Sequence, residues 1–178
     1  MRSTPIVRRT RAISRERLWR ICPVALGSMA RMVEISGKAD VPRRAVAIGE
    51  VLLKPATIRA IRAGKVEKGD PIRTAEVAAL QAVKRVWEAL PHTHPIPITG
   101  ASAEFAVKRD RVVATCEVSA TYKTGVEMEA LYAVSVALLT IWDMVKSLEK
   151  DAAGQYPATR IQGVRVLAKQ KGADGGRR

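Results

Sequence analysis

Apolar and polar positions alternate in blocks from residue 32 onward. The segment Arg44–Leu53 is rich in Val, Ile, Leu and Ala, which predicts a mostly buried strand. Proline starts and glycine ends many helices, so a short helix is predicted from Pro55 through Ala63, ending at Gly64. The polar stretch Lys65–Asp70 is then a loop.

A longer amphipathic helix is predicted over residues 74–90, ended by Pro91. Its apolar residues recur at spacings of three and four and form one stripe, made of Val77, Leu80, Val83, Trp87 and Leu90. We expect this stripe to face the core.

Strict alternation follows and predicts an antiparallel hairpin. Ala103, Phe105 and Val107 form its first strand, Lys108–Asp110 turn the chain, and the second strand carries Val112, Ala114, Cys116 and Val118.

The most apolar segment is a helix predicted from about Glu127 to Lys150. Its core stripe comprises Leu131, Val134, Leu138, Ile141, Val145 and Leu148. A second face, with Tyr132, Val136 and Leu139, is apolar too, so we expect burial on both sides. With a last strand at Ile161–Ala168, the order β-α-α-β-β-α-β predicts an α+β fold. It is a ferredoxin-like sandwich with a four-stranded, mainly antiparallel sheet and helices on one face.

The net positive charge is distributed unevenly over the 178 residues. The net charge is +14, of which residues 1–31 hold +7 and residues 169–178 hold +3. We therefore predict a flexible Arg-rich extension (1–31), one α+β catalytic domain (32–169) and a basic, Gly-rich tail (170–178). Two cysteines form no disulfide framework, and no apolar run approaches the length of a membrane span, which favours the cytoplasm and excludes a membrane protein.

Asp143 and Lys146 stand one helical turn apart on the second face of the long helix. Two interpretations remain open. A surface ion pair is the commoner case for this spacing. A partly buried acid–base pair is the alternative, in which desolvation and pairing shift the two pKa values in opposite directions.

Other polar residues also have two interpretations. Glu127 and Glu129 share one side if the helix starts late, although acids are common in a first helical turn. Lys68 and Lys84 would suit an anionic ligand, or are solvated lysines. His92-Thr93-His94 forms a rigid turn in which acid–base work or substrate binding by His94 is favoured over metal binding, because further ligands are lacking.

Six blocks of sequence occur together in one order. They are Met32-Val-Glu-Ile-Ser-Gly-Lys38, Lys68-Gly-Asp70, Ala82-Val-Lys84-Arg85, His94-Pro95, Thr124-Gly-Val-Glu-Met-Glu-Ala-Leu131 and Leu139-Thr-Ile-Trp-Asp-Met-Val-Lys146. With them, residues 32 to about 169 resemble the molybdenum cofactor biosynthesis protein C family, the cyclic pyranopterin monophosphate synthases.

The resemblance implies a lyase. Its substrate would be the 3′,8-cyclised dihydro form of guanosine triphosphate, rearranged to the pyranopterin with formation of a cyclic phosphate and loss of diphosphate. It implies Asp143 as the catalytic acid–base residue with Lys68 and Lys146 as partners. Substrate-binding residues would be His92, Thr93, His94, Glu127, Met128, Glu129, Lys38, Arg43, Lys84 and Lys169.

The family also implies a hexamer, a trimer of dimers, with sites where subunits meet. No cofactor is evident, and Mg²⁺ accompanying the triphosphate is left open. Two departures are present: Thr93 stands at the family's usual cysteine, and Ala173 stands at a usual lysine for which Lys171 is a candidate substitute.

Two rival functions follow from the same sequence. A ferredoxin-like module could bind nucleic acid through the basic arm. Such modules stack bases on aromatic residues of their central strands, whereas this hairpin offers only Phe105 on its core face and Tyr122 at one end. A non-catalytic structural homologue is the other rival, and retention of the acidic residues and lysines argues against it.

Overall fold

The structure is a computed structural model that describes residues 31–172. Residues 1–30 of the predicted extension and residues 173–178 of the predicted tail, Ala173 included, lie outside the described residues. The elements are β1 (Val41–Leu52), α1 (Pro55–Arg62), α2 (Pro71–Val83), α3 (Val86–Ala89), β2 (Gly100–Val107), β3 (Arg111–Tyr122), α4 (Glu127–Glu149) and β4 (Arg160–Lys171).

The four strands form one sheet in the order β2-β3-β1-β4, and all three neighbouring pairs are antiparallel. The connections β1 to β2 and β3 to β4 each run through helices and skip one strand. This is the ferredoxin-like arrangement, so the predicted fold class is confirmed.

The core lies between the sheet and α4, with α2 packed beside α4. Alternate residues of β1 and β3 face the helices and are buried, as the period of two requires. Gly49 of β1 lies close beneath side chains of α4 and β4. A Cβ there would lie 2.8 Å from the Val164 side chain and 2.9 Å from that of Val134.

The predicted helix over 74–90 is wrong in its limits and in its buried face. It begins earlier, because Asp70 caps α2 by accepting hydrogen bonds from the amides of Ile72 (2.9 Å) and Arg73 (3.1 Å). It ends at Val83, and a separate turn, α3, follows.

The residues that α2 buries are mainly small, namely Pro71, Ala75, Ala79, Ala82 and Val83. Small residues allow α2 to lie close against α4. Val77 and Trp87 of the predicted stripe are instead exposed.

The core stripe of α4 is largely confirmed, with Val134, Leu138, Ile141 and Val145 buried and Leu148 exposed. Its second face is only partly buried within this chain, since Tyr132 and Val136 are half-buried and Leu139 is 56% exposed. By length and composition alone α4 could cross a membrane. Half of that apolar window is buried inside the fold, as in the core helix of an α+β domain.

Strand limits differ slightly from prediction. β1 begins three residues earlier, at Val41, and β4 runs on to Lys171, because both strands continue to pair beyond their apolar segments. The hairpin of β2 and β3 is confirmed. Cys116 is buried in the core, and Cys22 lies outside the described residues.

Candidate active site

Asp143 lies between two lysines near the end of α4. Lys146, one turn further on, places Nζ 2.7 Å from Asp143 Oδ1. Lys68, from the loop between α1 and α2, places Nζ 2.7 Å from Asp143 Oδ2 and 3.0 Å from the Asp143 carbonyl oxygen. The structure therefore brings together the three residues predicted as catalytic.

Hydrogen bonds dominate the electrostatics of this triad. Donation first by Lys146 and then by Lys68 lowers the pKa of Asp143 to about 2, and Asp143 in turn raises the pKa of Lys146. The Asp143 side chain is 56% exposed, and the two hydrogen bonds outweigh desolvation, which acts in the opposite direction on the pKa of Asp143. Of the two sequence-based interpretations, the exposed ion pair describes the geometry, and Asp143 is an anion at neutral pH.

The start of α4 carries a second group of predicted residues. Glu127 forms a salt bridge with Lys169 of β4, with Nζ 3.2 Å from Oε1. Met128 is exposed. The two acids were expected to share one side only if the helix starts late. The helix begins at Glu127 itself, so that condition is not met and Glu129 turns away from Glu127.

Glu129 is buried, with only 3% of its surface exposed, and its Oε2 has no hydrogen-bond partner among the described residues. Burial raises the pKa of this carboxyl to about 7. A carboxyl group with that pKa exchanges a proton readily at neutral pH, which suits acid–base work.

A cavity of about 330 Å³ opens beside the start of α4. Its lining is basic, with Arg43, Arg44, Lys169 and Lys171 around Glu127. The Arg43 guanidinium is fixed by the carbonyl oxygens of Tyr122 (3.3 Å) and Lys123 (3.4 Å). Several cations around one cavity can hold a polyanion such as a chain of phosphates.

Arg44 and Gln170 were missed by the sequence analysis. Arg44 lies in the predicted strand, where its position gave no sign of a cavity, and its guanidinium also pairs with Glu117. The register of β1 with β4, which pairs Arg43 with Lys171 and Arg44 with Gln170, brings these residues to the cavity.

The remaining predicted residues lie apart from the triad. Lys38 is exposed. It ends a turn in which its amide donates a hydrogen bond to the Ile35 carbonyl oxygen (3.0 Å). Lys84 follows α2 and lines a cavity of about 400 Å³ with residues that precede and begin β2.

The His92–His94 turn is closed by Thr93, whose hydroxyl donates to the Leu90 carbonyl oxygen (2.8 Å). His92 is exposed and His94 half-buried. His94 lies near Glu34, whose pKa is lowered chiefly by hydrogen bonds from Ser36 and slightly by His94. Within residues 31–172, no three His, Cys, Asp or Glu side chains gather as metal ligands.

The predicted site thus divides between the two ends of α4. Asp143 follows Glu127 by sixteen residues, about 24 Å along the helix axis at 1.5 Å per residue. The Lys68–Asp143–Lys146 triad lies at one end, and the Glu127, Glu129 and Lys169 cluster lies at the other.

Comparison with known proteins identifies the family of this chain. Residues 32–172 match the sequence model described as the MoaC family. The chain belongs to the MoaC family. This is the molybdenum cofactor biosynthesis protein C family that the six sequence blocks resemble.

Individual relatives are similar over most of their length. A protein of Thermococcus onnurineus named "Probable cyclic pyranopterin monophosphate synthase" is 56% identical over 141 residues, covering 79% of this chain and 90% of that protein. One of Pyrococcus furiosus with the same name is 55% identical, with the same coverage. A relative from Methanothermobacter thermautotrophicus, 54% identical over 79% of this chain and 89% of its own, is named a synthase accessory protein.

Proposed function

We propose that this MoaC-family chain is a cyclic pyranopterin monophosphate synthase of molybdenum cofactor biosynthesis. Its substrate is the 3′,8-cyclised dihydro form of guanosine triphosphate, and its products are cyclic pyranopterin monophosphate and diphosphate. The enzyme class is a lyase. The observation that carries the proposal is the Lys68–Asp143–Lys146 triad, in a chain whose relatives bear that name.

The triad supplies a base and two acids, since each lysine Nζ lies 2.7 Å from an oxygen of the Asp143 carboxylate. Rearranging the rings of the substrate requires protons to be removed and returned, which the Asp143 carboxylate and the lysine ammonium groups can do. In the free enzyme the two lysines make Asp143 a weak base. When the substrate displaces one lysine from the carboxylate, the pKa of Asp143 rises and the carboxylate becomes a better base.

The basic cavity at the other end of α4 suits the phosphates. The cyclic phosphate forms when a substrate hydroxyl oxygen bonds to the α-phosphorus and loses its proton to solvent, while the bond to the β-phosphate oxygen breaks and diphosphate leaves with the electron pair. Arg43 and Lys169, with Arg44 and Lys171 beside them, offset the charge on those oxygens. Mg²⁺ bound to the phosphates would share this role, and loss of turnover with a chelator would detect it.

The roughly 24 Å between the two groups supports a site shared by two subunits, because even the whole substrate, with its triphosphate extended, is shorter than that distance. We therefore propose a homo-oligomer, a hexamer built as a trimer of dimers, in which the triad of one chain faces the Glu127 end of a second. The exposed Val77, Trp87 and Leu139 are consistent with subunit contacts. The biosynthetic role favours the cytoplasm.

Nucleic-acid binding is less favoured. The open face of the two central strands carries no aromatic residue among those described; it presents Arg44, Val46, Ile48 and Glu50 from β1 and Val113, Thr115 and Glu117 from β3. Base stacking of the kind used by RNA-recognition modules has no platform there.

The proposal is tested by incubating purified protein with the cyclised guanosine triphosphate and measuring diphosphate release and the mass of the pterin product. Asp143→Asn keeps the shape of the side chain and removes its charge. We expect wild-type turnover, and a loss of at least about 10²-fold in the variant. Absence of turnover in a correctly folded wild type would contradict the proposed function, and a fully active Asp143→Asn would contradict the role of the triad.

A further inference from the structure

A buried carboxylate lies two turns beyond Asp143, at the last residue of α4. Glu149 is fully buried. It accepts hydrogen bonds from the Lys54 amide, at 3.0 Å to Oε1 and 3.3 Å to Oε2, and from the Thr159 hydroxyl. Lys54 immediately precedes α1, and Thr159 immediately precedes β4. One side chain thereby ties together the ends of three elements.

The side chain of Lys54 also contacts the end of α4. Its Nζ donates to the carbonyl oxygens of Leu148 (3.3 Å) and Lys150 (2.9 Å), which the end of a helix leaves without intrahelical partners. The amide of Lys54 thus binds the side chain of α4, while the side chain of Lys54 binds the backbone of α4. This reciprocal pair fixes the start of α1 against the end of α4.

The two elements joined in this way carry the triad. Asp143 and Lys146 are on the last two turns of α4, and Lys68 is in the loop that follows α1. That loop is anchored by Val66, which is buried and whose carbonyl oxygen accepts from the Gly69 amide at 3.0 Å. Lys68 lies between α1, whose start Lys54 fixes against α4, and α2, which packs along α4, so the distance from Lys68 to Asp143 depends on how both helices sit against α4.

We propose that Glu149 is a positioning residue for the active site: by binding Lys54 and Thr159 it sets the register between α4 and α1, and so holds Lys68 against Asp143. The catalytic part of this inference rests on the proposed function, whereas the geometric part does not. Misplacing a catalytic group by about 1 Å can cost on the order of 10²-fold in rate.

The test compares Glu149→Ala, which removes every acceptor, with Glu149→Gln, whose carbonyl oxygen still accepts from the Lys54 amide. The first readout is the pKa of Asp143, measured by carbon NMR of its carboxyl group in the folded protein without substrate. Lys146 and Lys68 are the charged groups facing that carboxylate. In Glu149→Ala we expect the pKa of Asp143 to rise from about 2 toward its ordinary 3.8 as Lys68 withdraws, and Glu149→Gln to restore it.

Val118→Ala is the matched control, because it truncates a fully buried side chain of β3 opposite Ala45, away from the Lys54 contact. It should lower the melting temperature and leave the pKa of Asp143 unchanged. Should Glu149→Ala fail to fold, Thr159→Val removes only one hydroxyl donor and serves in its place, with a smaller shift in the same direction.

The second readout is turnover. We expect kcat to fall about tenfold in Glu149→Ala with little change in KM, since the basic cavity lies at the other end of α4. An unchanged pKa of Asp143 and unchanged kcat in a folded, less stable variant would overturn the proposal and leave Glu149 a purely structural residue. A shifted pKa in a protein whose wild type converts no substrate would support the positioning role and contradict the proposed function.

Discussion

Glu129 offers a quantitative test, because its carboxyl group is buried without a hydrogen-bond partner for Oε2 among the described residues. Its pKa of about 7 lies above the ordinary 4.5. Each pKa unit corresponds to about 1.4 kcal/mol, so ionising Glu129 costs the folded state about 3 kcal/mol. Because the folded pKa is the higher one, the unfolded chain loses its proton first as pH rises, and the free energy of unfolding falls between pH 4.5 and about 7.

Glu129→Gln has the same shape and no charge at any pH. The free energies of unfolding of variant and wild type are measured by urea titration. Their difference should change in favour of the variant by about 3 kcal/mol as the pH rises from about 4 to about 8. Glu127→Gln is the control at the same helix start. Its carboxylate is 26% exposed and paired with Lys169, so it should show no such gain. A difference between Glu129→Gln and wild type that does not change with pH would refute the burial argument.

Two glycines give further predictions. Gly49→Ala places a Cβ within 3 Å of Val134 and Val164, so the free energy of unfolding should fall by about 1–3 kcal/mol in urea titrations; an unchanged midpoint would contradict this close packing. Gly125→Ala places a Cβ 1.9 Å from Oε2 of Glu127. The flexible carboxylate should move aside and the fold should survive, while KM rises about tenfold; an unaltered KM would argue against a role of Glu127 in substrate binding.

The fold followed from the sequence because its patterns are regular. The alternation in the hairpin and the stripe on α4 each identify a buried face, and Pro55 with Gly64 marks the ends of α1. The same kind of pattern gave a wrong prediction for α2 and α3, where Val77 and Trp87 were expected to be buried and are exposed. Helix packing there depends on the small side chains Ala75 and Ala79, which a search for large apolar residues overlooks.

The candidate site was predictable only in part. The spacing of Asp143 and Lys146 on a helix predicts their contact, since i and i+3 residues are neighbours. The contact with Lys68 required the resemblance, because 75 residues separate Lys68 from Asp143. Glu149 had no signal at all, since a lone glutamate at the end of a helix looks like a solvated residue until Lys54 and Thr159 are seen around it.

The central claim is that both ends of α4, contributed by two subunits, make one site for this reaction. We expect Asp143→Asn and Glu129→Gln each to abolish turnover, because each removes an ionisable carboxyl group suited to acid–base work at one end of α4. The two inactive variants are unfolded and refolded together in equal amounts. If sites are shared within a two-fold dimer, half of the dimers are mixed, and each mixed dimer has one intact site out of two. About a quarter of wild-type turnover should therefore be restored.

Diphosphate release from the cyclised guanosine triphosphate measures that recovery. The account predicts turnover in the mixture that neither variant shows alone. If the mixture stays as inactive as its components while refolded wild type regains its activity, the site is not shared between subunits, and the account of how the two ends of α4 cooperate is wrong.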